Sequence, residues 1–160
     1  MKIYLYTDID FVLSLGSEIN AKQTKWGLIH RFNPGTVKVL NKILEVTNAD
    51  MIISSDWKDH FTLQQLQEIF IEWAKIIKAP IDVTISLPNK SALFNDYNRA
   101  KEILSHVELH KPDKWVAIDD LYLATWLGEE HFVYLSRFME GIKQCGKSQE
   151  ICNKINKNEK

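Results

Sequence analysis

"KIYLYTDID", residues 2–10, is an apolar run of strand length that stops at two aspartates spaced one apart, Asp8 and Asp10. Its aromatic and β-branched residues suit a pleated, buried surface. Four more runs of the same kind follow: "ADMIISS" (49–55), "IDVTIS" (81–86), "KWVAIDD" (114–120) and "HFVYLS" (131–136). Helical periodicity fills the gaps between them. In "NPGTVKVLNKILEVTN", Asn33 can cap and Pro34 suits the first turn, while Val37, Leu40, Ile43 and Leu44 share one face. The pattern repeats over 62–78 with Leu63, Leu66, Phe70, Trp73 and Ile77, and over 95–107 with Ala100, Ile103, Leu104 and Val107. Strands apolar on both faces that alternate with helices predict an α/β fold, an open doubly wound parallel sheet of about five strands with helices on both faces.

Composition narrows the class. The 160 residues, 45% of them hydrophobic, fit one domain with a substantial core. We assign residues 1–142 to it and 143–160 to a polar tail or short helix. With 20 basic and 21 acidic side chains, the chain as a whole has no electrostatic pull toward nucleic acid or membrane, though a local basic patch stays open. No apolar run is long enough to span a bilayer and no secretory signal opens the chain, so a cytoplasmic location is expected. Cys145 and Cys152 are too sparse for a disulfide framework or a zinc site and read as free thiols. His30, His60, His106, His110 and His131 read as scattered surface or loop residues without metal-binding spacing. Trp73, Trp115 and Trp126 read as core rather than as a base-stacking platform. The segment 14–32 is polar and turn-rich and reads as a loop or flap.

In open parallel sheets, ligands bind outside the carboxyl ends of the strands. There the chain places Asp8 and Asp10, Ser54 and Ser55, and Asp119 and Asp120. One aspartate at a strand end is usually a turn former or a cap. Three such pairs on one sheet edge are harder to ascribe to turns, and carboxylates gathered there repel unless a cation or protons join them. Mg²⁺ is the expected cofactor, a hard cation that takes carboxylate, water and phosphate oxygens. Ser55, Trp57 and Lys58 then stand at an expected helix start, where backbone N–H groups favour an anion, and read as substrate contacts. For Trp57, core packing is an equal alternative.

These segments resemble the motifs of the haloacid dehalogenase (HAD) superfamily: "YTDIDFVL" the first, "MIISSDWK" the second, Arg99 in "NRAKEIL" the third, "VAIDD" the fourth, and "EGI" with Gly141 a closing glycine pair. The resemblance covers roughly residues 2–142 and is nearest to the small, capless domains of the kind found in bacterial and phage proteins and in multidomain RNA-repair polypeptides. It implies a Mg²⁺-dependent phosphatase acting through an aspartyl-phosphate. Asp8 would be the nucleophile, and Asp10 the general acid and base whose backbone carbonyl also helps hold the metal. Asp120 would be the main carboxylate ligand with Asp119 in support. Ser54 would donate to the phosphoryl oxygens, and Arg99 would set a cation beside them, with Lys90 the alternative.

Two residues depart from the pattern. Phe11 stands where the family has Gly, and Lys58 where it has Arg. Neither gap between motifs has room for a cap domain, so the expected partner is a phosphorylated macromolecule such as a nucleic-acid end, or a nucleotide if 14–32 acts as a lid. No membrane partner is expected. The competing expectation, carried by Phe11, is a phosphate-binding module of the same fold without turnover.

Overall fold

A computed structural model describes residues 1–16, 21–88 and 92–157. Five parallel strands form its main sheet: β1 (Ile3–Thr7), β4 (Asp50–Ile53), β5 (Asp82–Val83), β6 (Lys114–Asp119) and β7 (Phe132–Tyr134), in the spatial order β5-β4-β1-β6-β7. A two-stranded antiparallel hairpin, β2 (Lys22–Thr24) and β3 (Gly27–Ile29), lies inside the stretch read as a loop.

Side chains alternate across β1. Leu5 joins a core layer with Leu40, Ile43 and Leu44 of α1 (Pro34–Thr47) and with Ile151, Cys152 and Ile155 of α5 (Lys147–Lys157). Tyr4 and Tyr6 face the other layer, built on Ala100 and Ile103 of α3 (Asn95–His110) and on Ala124 and Leu127 of α4 (Ala124–Leu127). This two-faced burial is the expected doubly wound α/β architecture. Helix α1 begins as the sequence indicates: the Asn33 side chain accepts from the N–H groups of Gly35 and Thr36, and Pro34 follows.

The helix expected over 62–78 is shorter. Thr62 and Gln65 form a capping box for α2 (Leu63–Glu68), which passes into a wide turn, Ile69–Trp73, where the Ala74 N–H reaches the Ile69 carbonyl. Lys75 then adopts a left-handed conformation (φ 60°) and ends the helix, and the Asn41 side chain holds the backbone of Lys75 and Ile77. Cys145 is exposed, Cys152 is buried, and both are free thiols. Trp115 is core, Trp73 packs against the opposite core layer, and Trp126 is partly exposed and stands edge-on to Tyr97. Among the described residues, no helix is long and apolar enough to cross a membrane.

Sheet register positions the site. Thr7 is paired with Ile53 on one side and with Ile118 on the other. The Asp8 N–H then bonds to the Ile118 carbonyl and the Ser54 N–H to the Thr7 carbonyl. Asp8, Ser54 and Asp119 therefore form one row at the carboxyl edge, at the point where the strand order switches: the chain moves outward from β1 to β4 and β5 and then returns to β6 on the other side of β1.

Candidate active site

A cavity of about 470 Å³ opens at this edge, with walls that include Asp8, Asp10, Phe11, Ser55, Arg99 and Asp120. Asp56, Asp59 and Glu102 add further carboxylates to its wall, so an anionic ligand meets an acidic pocket. One ligand atom from each of Asp8, Asp119 and Asp120 lies within 4.8 Å of the others. Carboxylates this close repel one another unless a proton or a cation lies among them. Burial, then the charge of Asp8, raises Asp120 to about 9. The same two causes lift Asp119 to about 7, against the opposing pull of Arg99. Carboxylates this reluctant to ionise are a set whose charge a cation would balance.

Arg99 enters from α3 and is the cation already there. Its guanidinium lies 2.7 Å from Asp119, 3.4 Å from Asp8 and 3.3 Å from Asp56. Burial opposes its charge, yet these carboxylates outweigh that and hold its pKa above the usual arginine value. Lys90, the alternative third-motif residue, lies outside the described residues. Among the described residues, the buried Ser54 Oγ has no hydrogen-bond partner. A buried hydroxyl left with donor and acceptor capacity is uncommon and suits a site awaiting a polar ligand.

Asp10 is set apart from the carboxylate group. Its Oδ2 accepts from Trp57 Nε1 at 3.2 Å. Burial, then the charge of Asp8, raises its pKa, and the Trp57 bond partly offsets this. Asp10 thus holds its proton to higher pH than a free aspartate does, the direction that suits a general acid. Of the four residues expected to hold the metal, the structure gathers the side chains of Asp8, Asp119 and Asp120, not that of Asp10.

The second-motif expectations need correction. Ser55 lines the cavity, but Asp56–Asp59 is one 3-10 turn rather than a helix start, and the Ser55 hydroxyl is engaged as its cap. Trp57 is buried against Phe32 and Phe61, donates to Asp10 and is not part of the cavity wall, so its side chain packs in the core rather than facing a ligand. Lys58 turns inward to Glu102 at 2.8 Å, both side chains 1% exposed, and its charge is consumed there rather than offered to phosphate. The lid reading of 14–32 also fails for its described part. Trp26 bonds to Glu68 and Lys25 to Glu72, tying the hairpin to α2 and the turn after it, and residues 21–32 line none of this cavity. Asp56, Asp59, His60, Asn95, Asn98 and Glu102 were not singled out from sequence. The last three share a helical face with Arg99, a signal that the i, i+3 and i+4 spacing carried.

Phe11 explains its own departure. Its φ is 61°, the left-handed region where Gly is free and other residues pay of order 1 kcal/mol. The turn survives the substitution, with the ring edge-on to Phe138. Gly141 (φ 53°) supports the turn from beneath: a Cβ there would run into the Val12 carbonyl and lie 3.0 Å from that of Phe11. Gly141→Ala should cost about 2 kcal/mol or more in urea unfolding, since neither carbonyl can yield without moving the loop that carries Asp10.

Residues 4–144 match the family described as the HAD domain in Swiss Army Knife RNA repair proteins. The chain belongs to this family. Comparison with curated proteins and with solved structures gave no match. The match accounts for the capless α/β sheet and places the chain in a superfamily of phosphatases and hydrolases, whose domains usually use Mg²⁺.

The carboxylate cluster also makes a prediction independent of substrate. Asp119 and Asp120 titrate higher in the folded state than the carboxylate value of about 4 expected unfolded, so the folded protein binds more protons between. Stability must fall as pH rises through that interval. In EDTA, the melting temperature should drop between about pH 5 and pH 9, the span bounded by the unfolded value and the raised Asp120. Mg²⁺ should flatten the drop by replacing the proton.

Proposed function

We propose that this HAD domain is a Mg²⁺-dependent phosphomonoesterase that works through an aspartyl-phosphate on Asp8. The observation that carries the reading is the convergence of Asp8, Asp119 and Asp120 beside Arg99 and the unpartnered Ser54 hydroxyl. Asp8 attacks phosphorus while the bond to the leaving oxygen breaks, and Asp10 gives that oxygen its proton. Asp10 then takes a proton from water as the water oxygen attacks the aspartyl-phosphate, releasing phosphate and restoring Asp8.

Arg99 and Ser54 hold the phosphoryl oxygens as charge develops on them. Arg99 exchanges part of its grip on Asp8 for the incoming phosphate. Both oxygens of Asp119 are engaged, by Arg99 and by the Leu121 N–H, so Asp119 acts mainly by orienting Arg99. Asp8 and Asp120 would be the direct carboxylate ligands of Mg²⁺, with the Asp10 carbonyl as the family pattern implies. When bound, the ion supplies the positive charge that lets a phosphate approach an acidic pocket.

The substrate is a phosphorylated nucleic-acid end, supported by the capless cavity and by the RNA repair proteins that give the family its description. Turnover of a terminally phosphorylated RNA oligonucleotide should exceed that of the matching nucleoside monophosphate and stop in EDTA. Faster hydrolysis of the mononucleotide would overturn the substrate assignment, and a folded protein inert toward both would favour the binding module. In an active enzyme, Trp57→Phe should move the alkaline limb of kcat/KM to higher pH, because it removes the bond that favours ionised Asp10.

A further inference from the structure

A second group of ligand atoms lies on the opposite core layer, built by α3 and the edge strand β5. "HVELH", residues 106–110, sets His106 and His110 four apart on one helical face, the spacing at which two imidazoles can share a metal. The reading of these histidines as scattered surface residues is corrected here. His106 is buried, its ring stacks on that of His110 at 4.0 Å, and both reach the same oxygen of Asp82.

His106 Nε2 is 3.1 Å and His110 Nε2 3.6 Å from Asp82 Oδ2, and one ligand atom from each of the three lies within 4.8 Å of the others. Ligands at the usual Zn–N and Zn–O bond lengths on a tetrahedron stand about 3.4 Å apart, so the two edges to Asp82 bracket that value, and a turn of the partly exposed His110 ring out of the stack aims both Nε2 lone pairs at one ion. The other Asp82 oxygen accepts from the Val83 N–H, which fixes the carboxylate. Behind His106, the fully buried Tyr6 hydroxyl lies 2.8 Å from Nδ1. Accepting from Nδ1–H would leave the Nε2 lone pair facing Asp82 Oδ2, the outer-shell partner that metal-bound histidines commonly have. Asp82 and His110 are 37% and 33% exposed, which gives an ion a way in and a place for water as fourth ligand.

We propose that His106 Nε2, His110 Nε2 and Asp82 Oδ2 form a Zn²⁺ site, separate from the carboxylate site, that clamps the second half of α3 to β5. Two imidazoles and one carboxylate suit Zn²⁺ and not Mg²⁺. The proposal is independent of the phosphatase reading. Arg99 lies two helical turns before His106, so the clamp would also steady the helix that carries it.

The test is Zn²⁺ titration of the full chain by calorimetry with excess Mg²⁺ present, and Co²⁺ absorption as a second readout. Wild type should bind one Zn²⁺, and Co²⁺ should show the intense visible bands of a tetrahedral site. Asp8→Asn should bind Zn²⁺ equally well. His110→Ala, a change at a partly exposed position, should weaken binding by more than tenfold, and Tyr6→Phe by about 10-fold or more. His110→Gln, which keeps the volume, should behave as His110→Ala does. No Zn²⁺ uptake by wild type, or uptake unchanged in both folded His110 variants, would overturn the site. Uptake lost in Asp8→Asn would instead assign the zinc to the carboxylate cluster and overturn it as well.

Discussion

Asp8→Asn is expected to abolish phosphatase turnover, by a factor of about 10⁴ or more, while raising the melting temperature measured in EDTA. The amide cannot form the acyl phosphate, so the first half-reaction has no nucleophile. The gain in stability has a separate cause. Asp8 is the charge that, after burial, does most to keep Asp119 and Asp120 from ionising. An Asn side chain can keep the bond from the Ile9 N–H that Asp8 now accepts at 2.8 Å. Arg99 keeps Asp119 and Asp56 as partners. Loss of activity with loss of stability would instead mean that Asp8 is a structural residue. The two readouts, steady-state rate and apo melting temperature, are made on one preparation.

Arg99→Ala should be the most destabilising change at the site, costing about 3 kcal/mol in urea unfolding at neutral pH. It removes the guanidinium shared by Asp8, Asp119 and Asp56 and leaves the fully buried Asp119, among the described residues, with the Leu121 N–H as its remaining donor. Uptake of a proton by Asp119 limits the loss, so the deficit should shrink as pH is lowered. Mg²⁺ should recover part of it, since a cation at Asp8 and Asp120 removes much of the same repulsion. A deficit under 1 kcal/mol, unaffected by pH or Mg²⁺, would mean that the carboxylates find other partners when Arg99 is gone.

Much of this was legible in the chain because the signals are local. The five strands and α1 follow from apolar runs, a capping Asn and a Pro at the first turn, and the row of Asp8, Ser54 and Asp119 follows once those strands pair in parallel. Phe11 occupies a position where the family pattern has Gly, and its positive φ shows that the turn is dictated by the loop and by Gly141 beneath it rather than by residue preference.

What stayed hidden depends on distant partners. Lys58 is written like a phosphate contact, and Glu102, reached only through α3, takes its charge. Trp57 reaches Asp10 across 47 positions of sequence. The end of α2 is decided by Lys75 and by the grip of Asn41, not by the apolar period that continues through Ile77. Strands of three residues, as in the 22–29 hairpin, are too short for alternation to register. The spacing of His106 and His110 is visible in sequence, but Asp82 meets them only after β5 joins the sheet.

The most direct test of the central claim, a nucleophilic Asp8, is the melting temperature with Mg²⁺ and beryllofluoride, which adds to a carboxylate oxygen as a phosphoryl mimic. Because only the native state binds the pair, wild type should melt about 5 °C higher than with Mg²⁺ alone, and Asp8→Asn should show no added rise. An equal rise in both proteins, or none in wild type, would contradict the assignment of Asp8 as the nucleophile.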